Sequence, residues 1–410
     1  MLSPAVSAGV RAHRWLLIVA LYFAQGNPLG LAMEALPALL RRQGAPLESL
    51  AFLPLVGLPW VLKFLWAAPV DNHWHRVWGR RRSWIVPMQS LVLLCLLAAA
   101  SLGVSGATAP FIVALAALGS LASATQDIAT DGLTAEQFSG PALARANALQ
   151  VGGTMVGFFF GGSGCLLLTG LLGVHGALAA LALPVALSLL LALAWRERAA
   201  TAPRAVGLPR ARLRHFVARP GAWPLLLAAA LSAMAAVTGY GLSKLLLVDA
   251  GWALEDVGRV GMVGGGITVL LGCGGGAWLA GRIGARALFA LGIGASALAA
   301  ALWCWLAGSP SALPVAGVWA ATALGCFGAG AASVAVMTLA MAFAAQGVQA
   351  GTDMTAVQSA RDVGEIATSS SLTGLAAQVG YAGSFLAGLA VALVALVVAS
   401  RLGAAQGGGR

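Results

Sequence analysis

Charge is scarce in this chain. Asp, Glu, Lys and Arg together make up 9% of its 410 residues, where soluble domains carry about 25%. With 60% of residues hydrophobic and a mean hydropathy of +0.88, an ordinary water-soluble fold is excluded. The five cysteines, Cys95, Cys165, Cys273, Cys304 and Cys326, all fall inside apolar runs. They have neither metal-ligand spacing nor loop partners, so no disulfide framework and no metal site is expected. His73 and His75 flank Trp74 at a spacing that no helix or strand recommends for a metal. No nucleophile–base pair, carboxylate dyad or phosphate-cradling glycine loop with its lysine occurs, which argues against an enzyme, a resident cofactor and an ATP-driven machine. The net charge of +11 does not point to nucleic acid, because the arginines sit in short loops between apolar runs, where membrane topology explains them. The basic stretch Arg11 to Arg14 precedes an apolar run without a small-residue cleavage site, and is read as the start of an uncleaved first helix.

Apolar runs are what the chain has in abundance. A helix needs about 20 apolar residues to cross a bilayer. Runs of that kind occupy 15–40, 48–70, 84–104, 109–132, 142–170, 173–195, 223–247, 255–279, 286–307, 313–345, 351–379 and 381–401. The fold class expected is therefore an all-α membrane protein of twelve transmembrane helices in two six-helix bundles. Loop arginines set the orientation. With the N-terminus in the cytoplasm, the inside loops receive Arg76, Arg80, Arg81, Arg82, Arg145, the cluster from Arg196 to Arg219, Arg282 and Arg286. The outside receives the pair Arg41 and Arg42, with Arg259 at a span edge. Both termini are expected in the cytoplasm. The domains expected are an N-terminal bundle over 1–195, a basic linker over 196–222 and a C-terminal bundle over 223–410. The halves echo each other: Gly44 to Glu48 parallels Gly251 to Glu255, and Gly79-Arg80-Arg81-Arg82 parallels Gly281-Arg282-Ile283-Gly284-Ala285-Arg286. Such an internal repeat is a feature of transporters.

The two basic loops resemble the motif that the major facilitator superfamily carries between its second and third spans and again between its eighth and ninth. Asp71 and Gly79-Arg80-Arg81 match the first copy with stretched spacing, and Gly281 stands where the second copy usually has an acid. Tyr22 to Gly30, Leu58 to Pro69 and Gln126 to Asp131 look like the AmpG-type branch, which includes muropeptide permeases and acetyl-CoA transporters. Gly351-Thr352-Asp353-Met354-Thr355 with Gln358 and Ser359 is similar to the RhtX/FptX subgroup of ferric siderophore importers. The resemblance implies a proton-coupled, alternating-access importer of the bacterial inner membrane, acting as a monomer on a small-molecule substrate. That substrate is expected to be an anionic metal chelate, with iron present only as part of it. A muropeptide permease of the AmpG type is the alternative, and a membrane sensor or enzyme with a transporter-like fold is a remote one.

The same architecture implies that spans 1, 4, 7 and 10 line a cavity, while 3, 6, 9 and 12 face lipid. The interior charges fall in spans 1, 2, 4, 7 and 11, and an intramembrane charge is expected to face water or a partner. In span 1, Tyr22, Gln25 and Asn27 are substrate candidates. Glu34 is either a proton-titrating acid or a structural acid paired with a base of a neighbouring span. In span 2, Lys63 lies between Trp60 and Trp66 at three-residue spacing, which suits an anionic aromatic ligand; pairing of Lys63 with Asp127 and packing of the indoles is the other reading. Asp127 and Asp131 of span 4 are proton-coupling candidates, Asp131 serving equally as a gate. Gln150 in span 5 is a substrate candidate or part of a packing face. Tyr240 and Lys244 of span 7 either attract substrate or, for Lys244, snorkel to the interface. In span 11, Gln358 and Arg361 are substrate candidates, with Asp362 and Glu365 as proton sites; a static ion-pair network is the alternative. Asp71, Arg80, Arg81, Arg82, Arg282 and Arg286 are expected to latch the cytoplasmic side.

Overall fold

The computed structural model describes residues 4–137, 141–197, 213–239, 241–308, 313–344 and 350–402, and every regular element among them is helical. Lipid offers no partner for backbone polar groups, and a helix satisfies its own N–H and C=O groups within one segment. Ten helical stretches are long and apolar enough to cross a membrane by length and composition. The chain divides into two compact units. The first comprises 1–43, 56–205 and 254–259, and the second 44–55, 206–253 and 260–410.

The first unit is built from α1 (Pro4–Gly30), a π-helical turn over Leu31–Ala35, α2 (Leu36–Arg42), α4 (Leu58–Leu62), α5 (Ala67–Asn72), α6 (Arg82–Leu102), α7 (Ala109–Gln137), α8 (Pro141–Phe159) and α9 (Cys165–Ala194). The short α3 (Leu47–Leu50) belongs with the second unit. Leu17, Leu21, Val70, Ile85, Val86, Leu133 and Trp195 form one of its buried apolar clusters. The second unit holds α10 (Leu213–Val217), α11 (Ala222–Val237), α12 (Gly241–Asp249), most of α13 (Leu254–Gly266), α14 (Gly276–Ile283), α15 (Ala285–Ala307), α16 (Val315–Ala344) and α17 (Ala350–Leu402). Phe216, Leu225, Phe289, Ile293, Val336 and Phe343 pack in its core, and Trp303 stacks on Phe385 with ring centroids 5.9 Å apart.

Two features depart from the expected spans. The run over 48–70 is a chain of short pieces: α3, a 3-10 turn over Leu53–Gly57, α4, a second 3-10 turn over Lys63–Leu65, and α5. Pro54 and Pro59 each remove a helical N–H donor, and Trp66 sits outside helical space at φ −116°, ψ 11°. The stretches α9 and α17 each contain one glycine far from helical geometry, Gly173 (φ 67°, ψ 176°) and Gly380 (φ 75°, ψ 172°). A positive φ of this kind is cheap only for glycine, so the chain turns sharply at those two places.

Small residues set how closely helices approach. Gly153, Gly157 and Gly161 recur every four residues and face Gly26 and Gly30 of α1. The backbone of Thr154 and Phe158 fills the space that a Cβ at Gly26 would need, and Phe23 O fills that at Gly157. Backbone thus packs on backbone, which is how helices associate where lipid is as apolar as leucine. In the second unit Gly292 and Gly328 do the same for α15 and α16: a Cβ at Gly292 would stand 2.9 Å from Gly328 O.

Gly157→Val is therefore expected to lower the thermal midpoint measured by size-exclusion chromatography in detergent, with an overpacking cost of about 1–3 kcal/mol or more. Gly152→Ala adds a Cβ with nothing within 4 Å and is expected to leave the midpoint in place. Equal behaviour of the two variants would refute close α1–α8 packing.

Candidate functional site

The polar side chains of the first unit converge on one face of α7. Ser123, Asp127, Thr130, Asp131 and Thr134 are spaced by three or four residues, hence share that face. All but Asp131 are buried. Asp127 accepts a hydrogen bond from Gln25 Nε2 at Oδ1 (2.6 Å) and forms an ion pair through Oδ2 with the ammonium of Lys63. One turn on, Asp131 Oδ1 accepts from Tyr22 Oη (2.9 Å) and from Gln150 Nε2 (2.8 Å). Tyr22 Oη and Thr134 Oγ1 also share a hydrogen bond of 2.9 Å, and Ser123 donates to Gln25 O (2.9 Å). Four elements therefore meet here: α1 through Tyr22 and Gln25, the span-2 pieces through Lys63, α7, and α8 through Gln150.

Lys63 reaches Asp127 from backbone that is not in a regular α-helix. It opens the 3-10 turn that follows α4. Its ammonium lies 5.1 Å from the Trp60 ring centroid, within cation–π range. Trp66, at the end of the turn, donates its indole N–H to Thr125 Oγ1 (3.1 Å). The Lys63 side chain is 25% exposed and that of Asp127 5%, so the pair is open on the lysine side and enclosed on the acid side. Trp60 Nε1 is buried and meets no acceptor among the described residues.

Glu34 stands apart from this network. It lies in the π-helical turn after α1 and accepts at Oε2 from Ser163 Oγ (2.8 Å). Asn27 donates weakly to Leu181 O (3.4 Å). In the second unit Lys244 is buried on α12. Arg361 Nη2 donates to Ser333 Oγ on α16 (2.9 Å), reaching across to a neighbouring helix. Asp362 and Glu365 lie beside it on α17, and Gln358 is exposed. Tyr240 lies outside the described residues.

The basic loops also have a definite structure. The carboxylate of Glu197 accepts from the backbone N–H groups of Arg81 (2.9 Å) and Arg82 (2.9 Å) at the start of α6, where a negative charge offsets the helix dipole. Arg82 Nη2 donates to Leu193 O (2.7 Å). The Arg81 guanidinium lies against Gly132 of α7. Arg80 lies over the Trp74 ring at 5.6 Å, and Arg282 over Trp278 at 3.8 Å. Arg286 opens α15 as an exposed residue, and the side chain of Asp71 lies outside the described set. Arg219 forms an ion pair with Asp353, donates to Phe343 O (2.5 Å) and covers the Phe343 ring at 3.9 Å. Sequence reasoning missed Glu197, Arg219, Ser163, Thr125 and Ser333. An acid and an arginine at the two ends of the linker were the visible signal for the first two.

The comparisons with known proteins agree on a transporter. A family profile described as Acetyl-coenzyme A transporter 1 matches residues 14–170. An anhydromuropeptide permease of Escherichia coli (strain K12) is 30% identical over 296 residues, covering 70% of this chain and 60% of the permease. The match thus spans less than two thirds of that relative's own length. The putative transporter AmpG 4 of Rickettsia felis is 29% identical over 164 residues, 39% of each chain. Among solved structures, a POT family transporter in complex with 5-aminolevulinic acid superposes with a TM-score of 0.71 at 11% identity, covering 95% of both chains, which shows the fold. The likeness to permeases of the acetyl-CoA-transporter and AmpG type stands. The expected import of a ferric siderophore does not: the relatives named here are muropeptide and AmpG-type permeases, and the eleventh-span segment that suggested the subgroup has a structural explanation in the Arg219–Asp353 pair.

Removing one partner of a buried ion pair costs about 3–5 kcal/mol, because the other charge is left uncompensated. Lys63→Met is expected to lower the thermal midpoint sharply, and Lys63→Met/Asp127→Asn to recover most of the loss. A single variant as stable as wild type would show that the pair does not hold Asp127.

Proposed function

We propose that this chain is a multi-pass permease for a muropeptide-type solute, and that the network around Asp127 belongs to its solute and proton path. The observation that carries the reading is one of coincidence in place. The family profile match over 14–170 contains every member of that network: Tyr22, Gln25, Trp60, Lys63, Trp66, Asp127, Asp131 and Gln150. Muropeptides join pyranose rings to a short peptide with free carboxylates. An indole face suits the apolar face of a sugar ring, and an ammonium suits a carboxylate. Trp60 with its unmatched N–H, Lys63 and Trp66 offer that combination within two helical turns.

Proton coupling follows from charge counting. Asp127 and Asp131 share one helix face and one ammonium, Lys63. When a solute carboxylate takes up Lys63, Asp127 keeps only Gln25, and a proton restores the balance. Lys63 thereby links solute arrival to proton uptake without any motion beyond a side-chain exchange. Arg80, Arg81, Arg82, Arg282 and Arg286 hold the basic loops.

Topology belongs to the same proposal. Counting α9 and α17 as two rods each, on either side of Gly173 and Gly380, turns the ten stretches into twelve. Loop arginines then put both ends of the chain in the cytoplasm and the protein in the bacterial inner membrane.

Uptake of a radiolabelled 1,6-anhydro-muropeptide into vesicles with an alkaline interior in acidic buffer, and into vesicles with equal pH on both sides, tests the reading. Wild type is expected to accumulate label under an inward proton gradient, Lys63→Ala to fall below about a tenth of that rate, a loss of 1.4 kcal/mol or more in transition-state terms, and excess acetyl-CoA to leave uptake unchanged. No accumulation by wild type, or full uptake by Lys63→Ala, would overturn it.

A further inference from the structure

The two carboxylates on the polar face of α7 are held in opposite ways. At Asp127 both oxygens are taken: Gln25 Nε2 donates to Oδ1 (2.6 Å) and the Lys63 ammonium pairs with Oδ2. At Asp131 one oxygen takes everything. Tyr22 Oη (2.9 Å) and Gln150 Nε2 (2.8 Å) both donate to Oδ1, and Oδ2 receives no hydrogen bond among the described residues. Among those residues no cation pairs with Asp131 either. Asp131 is also the partly exposed member of that face, Ser123, Asp127, Thr130 and Thr134 being buried.

The charged and titratable groups around Asp131 are few. Asp127 stands one turn back on α7 with Lys63 as its partner. From α1 comes the phenol of Tyr22, and α8 presents the neutral amide of Gln150. Arg81 packs on Gly132, one residue along and about 100° round the helix from Asp131.

A proton on Asp127 has to displace Lys63 or turn Gln25 away. A proton on Asp131 Oδ2 displaces nothing, because Oδ1 remains a carbonyl oxygen and keeps both of its donors. Two carboxylates and one ammonium also leave the face one negative charge in excess, which is costly at hydrocarbon depth. One proton at Asp131 brings Lys63, Asp127 and Asp131 together to zero.

We propose that Asp131 carries the coupled proton, bound at Oδ2, while Asp127 stays ionised against Lys63. This rests on the network being a solute and proton path, and names the atom that takes the proton. The step is an addition: the aqueous medium supplies the proton, an O–H bond forms at Oδ2, and no bond within the protein breaks. An order of events follows. With Asp131 neutral, a solute carboxylate arriving at Lys63 meets one rival anion instead of two. Proton binding therefore strengthens solute binding, and the solute strengthens proton binding by the same factor.

Infrared difference spectroscopy of the purified full chain in lipid, without solute, reads the protonation. Between mildly alkaline and mildly acidic buffer, wild type minus Asp131→Asn is expected to show the carbonyl stretch of one protonated carboxyl group. Asn keeps an Oδ1 acceptor for Tyr22 and Gln150, so the variant is expected to elute with wild type. Lys63→Met/Asp127→Asn is expected to retain the band, and Asp131→Asn added to that background to remove it. Binding of radiolabelled anhydro-muropeptide to wild type is expected to tighten about tenfold in the acidic buffer, within the usual span of such coupling, and binding to Asp131→Asn to be equal in both buffers. Coincident spectra of wild type and Asp131→Asn, a band lost in Lys63→Met/Asp127→Asn, or a pH dependence of binding undiminished in Asp131→Asn would each overturn the proposal. Failure of wild type to bind the muropeptide in either buffer would overturn the solute reading, and the solute-free spectra would still decide where the proton sits.

Discussion

The ion pair between Lys63 and Asp127 is the constraint around which the first unit is arranged. An ionised group at hydrocarbon depth is costly unless it has a partner or water, and each member of this pair has the other: the acid is enclosed among Gln25, Ser123 and the body of α7, while the lysine keeps a quarter of its side-chain surface open. A fully sealed pair would be structural ballast. A fully exposed one would need no precise partner. The cation is the open member of the pair and the anion the enclosed one, and the second carboxylate, Asp131, is held one turn away by Tyr22 and Gln150. The ion pair is made from the broken helix of span 2, where Lys63 opens a 3-10 turn.

Such a network needs its helices held close and in register, and the sequence does that with glycine in place of bulk. The Gly26/Gly30 and Gly153/Gly157/Gly161 faces bring α1 to α8 at backbone contact, which is what allows Tyr22 of α1 and Gln150 of α8 to meet on the same carboxylate oxygen. The ends of the linker are tied down by charge: Glu197 caps α6 in the first unit, and Arg219 binds Asp353 and Phe343 in the second. Each tie places a charged side chain where it meets its opposite, a helix N-terminus in one case and a carboxylate in the other.

Much of this was legible in the sequence because lipid makes composition speak. Runs of apolar residues located most of the helices, though not the early start of α1 or the broken span 2, and the rarity of interior charge singled out Lys63, Asp127 and Asp131, with Asp127 already named as one partner of Lys63. What the sequence hid depends on rotation and on distance along the chain. The partner of Trp66 is Thr125 because of how the 3-10 turn is aimed, and no spacing rule gives that. Arg361 bonds Ser333, 28 positions away on another helix, a partner that no spacing within α17 gives. The siderophore reading was overturned by the relatives, which are muropeptide and AmpG-type permeases; Asp353, part of the pattern that suggested it, pairs with Arg219. A residue pattern near a helix end cannot say whether it answers to a solute or to the fold.

The account stands or falls on whether the Asp127–Asp131 face is reached by water and solute in the native membrane. Gln150→Cys, in a chain whose five native cysteines are replaced, measures this by its rate of modification with a charged methanethiosulfonate reagent in intact vesicles. Modification at a measurable rate, slowed by anhydro-muropeptide, is the predicted result. A thiol that reacts only after the bilayer is dissolved, or at a rate indifferent to the solute, would mean that the network is a dry structural core and that the path runs elsewhere.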